Sequence, residues 1–101
     1  FQNGITDSWA STLIIMPCLN FIKGTCCPHY DEEPERRPAV KKLLLSNKTK
    51  DVFAVDGGAA LHIKDEKIFK SVVFKKEKSS YFVSCDGKKI NEKSFKKTTL
   101  I

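Results

Sequence analysis

An α/β domain is the fold class this sequence predicts, and three observations carry the prediction. The run Val52-Phe53-Ala54-Val55 is apolar on both faces over the length of a strand, as in a strand covered on both sides. A helix-patterned stretch from Pro34 to about Ser46 separates that run from an earlier strand at Thr25–Pro28. His29 and Asp56, which can carry acid–base chemistry, stand just past the ends of those two strands. Open α/β sheets gather their function there.

The remaining elements follow in order. Gly4 to Ser11 reads as loop, with Asp7 and Ser8 as turn or capping residues. Leu13–Met16 and Phe21–Ile22 are short apolar segments, broken by Pro17 and Gly24. Pro28 stops the strand at Thr25–Pro28. Pro34 and Glu35 open the helix, but Pro38 is tolerated only in a first turn, which moves the start toward Arg37. Val40, Leu43, Leu44 and Leu45 supply its apolar stripe, Lys41 and Lys42 its wet face, and Asn47 its stop. Ala59–Ile63 and Ile68–Phe74 flank Lys64-Asp65-Glu66-Lys67 as a β-hairpin. Tyr81–Ser84 is a further strand, followed by the turn signal Asp86-Gly87. Past Lys88 the chain is polar and weakly patterned, either one more short strand or a frayed end.

At 101 residues the chain fits one small domain, which buries roughly two-thirds of its unfolded surface. It begins at Phe1 rather than Met, so the expectation is a processed product or a piece of a longer polypeptide. The net charge of +6 is uneven. Residues 64–101 hold 11 Lys against 5 acids, whereas residues 1–63 balance 7 basic with 7 acidic side chains. A lysine-rich solvated face that discourages edge pairing explains this better than nucleic-acid binding. A binding patch would favour arginine with interleaved aromatics, and Arg36 and Arg37 are the only arginines. Cys18, Cys26, Cys27 and Cys85 form no C-x-x-C pair, and adjacent Cys26 and Cys27 point to opposite faces of an extended segment. They read as reduced, mostly buried thiols of a cytoplasmic protein rather than as zinc ligands or a disulfide framework. No apolar run is long enough to span a membrane, and the N-terminus has no signal-peptide pattern.

His29 is the most informative residue. A neutral imidazole takes up and returns a proton near pH 7. Asp56-Gly57-Gly58 ends a second strand, and Asp7 lies in an early polar segment, so a base and an orienting carboxylate can meet as two-thirds of a hydrolase triad. The ordinary alternatives are a surface histidine and a plain Asp-Gly-Gly turn.

Three segments go further. Cys27-Pro28-His29-Tyr30-Asp31, with Pro34-Glu35-Arg36-Arg37-Pro38, resembles the dipeptidase E (alpha-aspartyl dipeptidase) family of serine peptidases, which includes cyanophycinase. Ala54-Val55-Asp56-Gly57-Gly58-Ala59-Ala60-Leu61-His62 is similar to that family's "DDGAAL" segment. Gly4-Ile5-Thr6-Asp7-Ser8 looks like the short stretch that follows its nucleophile region. The segments occur in the family's order, and the likeness covers roughly residues 4–75.

The resemblance implies the C-terminal half of a flavodoxin-like (class I glutamine amidotransferase-like) sheet with a β-hairpin extension. It makes residues 1–101 a single partial domain. By it His29 is the general base, and either Asp7 or Asp56 completes the relay. Arg36 and Arg37 would offer a bidentate fork to a substrate carboxylate, suiting a preference for an N-terminal aspartate. The competing reading pairs one arginine with Glu32, Glu33 or Glu35 at the surface. No metal or organic cofactor is implied, and the substrate would be a small peptide.

The departure from the family is equally clear. No G-x-S-A-G elbow exists, and Ser8, Ser46, Ser79, Ser80 and Ser84 are no substitute. The expectation is therefore a nucleophile upstream of Phe1, and a chain that needs its N-terminal half, dimerises or aggregates. Two other readings compete with a peptidase fragment. One is a non-catalytic family member acting as a binding or scaffold protein. The other is a basic β-rich module whose binding would depend steeply on salt.

Overall fold

Residues 25–55 build the centre of the fold because a strand, a helix and a strand in that order bury one face each against a shared core. The computed structural model describes residues 1–7, 13–18 and 22–99. In chain order the elements are β1 (Asn3–Asp7), β2 (Leu13–Pro17), β3 (Thr25–Cys27), α1 (Arg36–Leu45), β4 (Val52–Val55) and β5 (Ala59–Lys64). There follow β6 (Lys67–Val73), β7 (Ser80–Asp86), β8 (Lys89–Ser94) and β9 (Lys97–Thr99). The architecture is mixed α/β. One sheet has the order β2-β1-β3-β4-β7-β8, and a smaller one has β5-β6-β9.

Strands β1, β3 and β4 run parallel at the middle of the large sheet, with β2 antiparallel on one side and the β7–β8 hairpin on the other. The core joins Ile5, Cys27, Val52, Ala54 and Val83 of these strands to Tyr30 and to Val40 and Leu44 of α1. Burial of each such side chain contributes about 1.5–3 kcal/mol. The other face of β4 is covered by aromatic rings. Phe53 lies 5.3 Å from Phe82, 5.4 Å from Phe1 and 6.1 Å from Phe95, centroid to centroid. The two-sided burial expected of Val52–Val55 is thus met by a helix on one face and phenylalanines on the other.

Helix α1 ends as its sequence requires. Asn47 takes the left-handed conformation (φ 59°), and the N–H groups of Asn47 and Lys48 donate to the carbonyls of Leu44 and Leu43. This is a Schellman closure, with asparagine in the position that glycine usually fills. Pro38 stands in the first turn, where its missing N–H costs nothing. The helix's apolar stripe is narrower than expected, because Val40 and Leu44 are buried while Leu45 is 47 % exposed.

The first polar segment differs from its expected form. Residues 3–7 are a strand, not a loop, because Ile5 reaches the core at 1 % exposure and both neighbouring strands pair with this segment. Ser8 to Ser11 and Phe21 lie outside the described residues. The β5–β6 hairpin turns at Asp65 and Glu66, both with positive φ (51° and 65°), as a two-residue primed turn requires. In the β7–β8 hairpin Gly87 (φ 65°) takes the first central position, which glycine favours in a type II′ turn. The polar end forms β8 and β9, with β9 parallel to β6. A buried bond of 3.0 Å between the Ser71 and Ser80 hydroxyls ties the small sheet to the large one. Among the described residues no helix is long and apolar enough to cross a membrane.

Candidate active site

The parallel register puts the three acid–base candidates on one level. Asn3 stands beside Thr25, and Thr25 beside Val52. Four residues further along each chain come Asp7, His29 and Asp56, all at the carboxyl edge of β1, β3 and β4. Asp7 is the last residue of β1, opposite Leu13, rather than part of a loop. Its carboxyl group lies outside what the structure describes.

His29 leaves β3 through Pro28 and adopts the left-handed region (φ 53°), which costs a non-glycine residue about 1–3 kcal/mol. Two backbone bonds hold it there. The Tyr30 N–H donates to the Val55 carbonyl at 3.0 Å, and the Glu32 N–H donates to the His29 carbonyl at 3.1 Å. Its imidazole Nδ1 lies 2.7 Å from Glu32 Oε1, with the histidine side chain 60 % exposed. Sequence reasoning treated Glu32 as a possible arginine partner and missed this pairing. The available signal was the i, i+3 spacing across a turn.

Asp56 is buried behind the same edge, 5 % exposed. Its Oδ2 accepts the Ser79 N–H at 2.9 Å. Its Oδ1 is buried and meets no donor among the described residues. Burial pushes its carboxyl up, the Ser79 N–H pulls the other way, and the negative charge of Asp31 pushes it further up. Asp31 binds the two loops together, accepting from the Gly57 N–H at 2.8 Å and from the Lys78 ammonium. Burial opposes ionisation of Asp31, but the Lys78 ammonium and the Gly57 N–H outweigh it and hold its carboxyl below the usual range.

The arginines are placed differently from each other. Arg36 is 4 % exposed, and its guanidinium donates to the Ile5 carbonyl at 3.0 Å and to Glu33 at 3.1 Å, tying α1 to β1. That position inside the fold makes it a framework residue, and Glu33 is one of the acids expected as an arginine partner. Arg37 turns outward. Its Nε and Nη2 donate to Glu92 of β8 at 3.1 and 3.3 Å, and its guanidinium stacks 4.5 Å from the centre of the Tyr30 ring. Beside it lies a cavity of about 380 Å³ lined by Tyr30, Asp31, Glu33, Pro34, Arg37, Pro38 and Lys41. Sequence reasoning found Arg37 but not its partner Glu92, which lies 55 positions away in the polar tail.

The cysteines are free thiols but not mostly buried: Cys27 is buried, Cys26 and Cys85 are partly exposed, and Cys18, just past the end of β2, is exposed. Burial pushes the Cys26 thiol up to about 11, which makes it a poor nucleophile. No three His, Cys, Asp or Glu side chains converge as a metal site among the described residues.

Comparison with known proteins identifies the family. Residues 1–71 match the family model described as Peptidase family S51. Over 83 residues the chain is 39 % identical to the protein named "Uncharacterized peptidase YgaJ" of Bacillus subtilis (strain 168). The match takes in 82 % of this chain and 36 % of that relative, so the chain spans little more than a third of the relative's length. No solved structure matches it. The family match runs from β1 through His29, α1 and the Asp56–Gly57 turn, the same segments that carry the resemblance to peptidases. The chain belongs to peptidase family S51.

Proposed function

We propose that the chain is the base-bearing part of a serine-type peptidase of the dipeptidase E kind, acting on small peptides with an N-terminal aspartate. The observation that carries this reading is the level row of Asp7, His29 and Asp56 along the carboxyl edge of three parallel strands. With Nδ1 engaged by a carboxylate, Nε2 is left as the basic nitrogen. It takes the proton of a serine hydroxyl as that oxygen attacks the scissile carbonyl. The developing oxyanion rests on backbone N–H groups, and the leaving amine receives the proton from the imidazolium. A carboxylate of Asp7 or Asp56 stabilises that imidazolium. Arg37 and Lys41, at the rim of the cavity beside Tyr30, attract the substrate carboxylate, while Arg36 keeps its framework role.

The serine comes from a segment outside this chain, on the first strands of a flavodoxin-like fold. The length of the relative supports this, since most of it lies outside the match. The apolar groove between β2 and α1, lined by Leu13, Ile14, Ile15, Ala39 and Leu43, is where that half packs. The free thiols fit a cytoplasmic location. The test is His29→Ala in the full-length protein, assayed on an aspartyl dipeptide. Turnover falls on the order of a thousandfold or more, with the circular dichroism spectrum unchanged. Undiminished hydrolysis would refute the assignment.

A further inference from the structure

The β5–β6 hairpin gathers like charges that its own stability does not need. Its ladder sets Lys64 directly opposite Lys67, and like charges so placed repel. The register also shifts. His62 faces Lys70 but Ile63 faces Ile68, which leaves Phe69 as the extra residue of a β-bulge. The bulge turns the Phe69 ring onto the face that carries His62 and Lys64. There it lies edge-on to the His62 ring, centres 5.1 Å apart, with the Lys64 and Lys70 Nζ atoms 5.7 and 5.6 Å from its own centre. The ring is nonetheless 57 % exposed. Asp65 and Glu66 occupy the turn, and among the described residues no ion pair engages Lys64, Lys67 or Lys70. Beside this face runs an open edge. The small sheet has the order β5-β6-β9, so among the described residues β5 pairs on one side only. On its other side every second backbone N–H and C=O points outward without a strand partner.

From this juxtaposition we propose that the β5 edge is a docking site for an extended acidic peptide, which adds as a further strand. The peptide backbone completes the ladder, and its carboxylates lie over Lys64, with Lys67 and Lys70 behind. An apolar side chain in the same row reaches the Phe69 ring across His62. The charges choose among occupants. A second copy pairing edge to edge would bring Lys64 and its neighbours against the same lysines, which repel. A nucleic acid offers anions but no strand backbone, and the cations here are lysines, not the arginines that grip phosphate in pairs. A lipid surface offers no strand partner either, and one phenylalanine is a small anchor. An acidic strand satisfies edge, charge and ring together. None of these residues belongs to the candidate active site, so the inference does not rest on the peptidase reading.

The test uses a short, fluorescein-labelled, N-acetylated peptide of alternating glutamate and leucine. It is titrated into the full-length protein and read by fluorescence anisotropy. The peptide binds, and its affinity falls as salt rises. Lys64→Glu weakens binding about tenfold or more and Phe69→Ala about threefold or more, with the circular dichroism spectrum unchanged in both. Replacing glutamate by lysine in the peptide abolishes binding, which no folding defect of the protein can imitate. N-methylation of the peptide separates strand addition from charge attraction. Methyl groups on one alternate set of amides abolish binding, and on the other set they leave it within about twofold. Equal effects of the two methylated sets would overturn the proposal. So would tighter binding of an oligothymidylate or of phosphatidylserine vesicles than of the peptide. No binding at all, as when the rest of the full-length chain covers β5, would overturn it too.

Discussion

Tyr30→Phe isolates what anchors the histidine loop. The Tyr30 ring is buried at 1 % exposure, and its hydroxyl donates to Glu92 Oε1 at 2.5 Å. A hydrogen bond to a charged acceptor contributes about 1.5–3 kcal/mol. Losing it does not strand the carboxylate, because Glu92 keeps both Arg37 bonds and its side chain is 32 % exposed to water. The ring itself stays, with its contacts to Arg37 and to Tyr81 at 5.8 Å. The cost therefore falls at the low end, about 1.5 kcal/mol. With a urea m-value of about 1.5 kcal/mol/M, the midpoint moves down by about 1 M, read by far-ultraviolet circular dichroism.

The same variant has a second signature at alkaline pH. Burial, then the Glu92 carboxylate, pushes the Tyr30 hydroxyl above its ordinary value, so the folded protein keeps a proton that the unfolded chain releases. More protons bound to the folded state means stability falls as pH rises past about 10. Tyr81, also raised by burial, adds to that fall. Tyr30→Phe weakens the alkaline loss, and removing both hydroxyls weakens it further, leaving the part due to the buried Cys26 and Cys27 thiols. A midpoint shift under about 0.3 M, or an alkaline limb unchanged in Tyr30→Phe, would refute the reasoning.

Asp31 gives the opposite sign. Its carboxyl is held below the usual range, so the unfolded chain binds a proton first as pH falls. Its stabilisation is complete above the ordinary carboxylate value and is lost as pH drops through the lowered one. Thermal melts of Asp31→Asn across acid pH should show a shallower acid limb than the wild type, and an unchanged limb would contradict the pairing with Lys78. At the β5–β6 turn, Glu66 holds φ 65° without being glycine. Glu66→Gly relieves that strain and raises stability by about 0.5–1 kcal/mol in urea unfolding, whereas a loss would argue against the primed turn.

The parts of the fold legible in sequence were those whose local chemistry and burial agree. Val52–Val55, α1 with its Asn47 stop, and the Asp86-Gly87 turn each carry their own signal. The first strand was not legible, because among residues 3–6 only Ile5 is buried in the core and the flanking Asn3, Thr6 and Asp7 read as loop. The polar end was ambiguous for a similar reason. Residues 89–94 hold their place by backbone pairing to β7, and their side chains stay largely exposed. Ladder hydrogen bonds leave no hydrophobic pattern to read.

The site divides along the same line. His29 and Asp56 stood out because each follows a strand end, a property of a few neighbouring residues. The partners did not. Glu92 reaches Tyr30 and Arg37 only because β8 folds back beside β7, so no local pattern marks it. Glu32 was one acid of four in a charged run, marked only by its i, i+3 spacing from His29. Its contact with Gly57, 25 positions further on, arises from the parallel pairing of β3 with β4, which no short stretch of sequence displays.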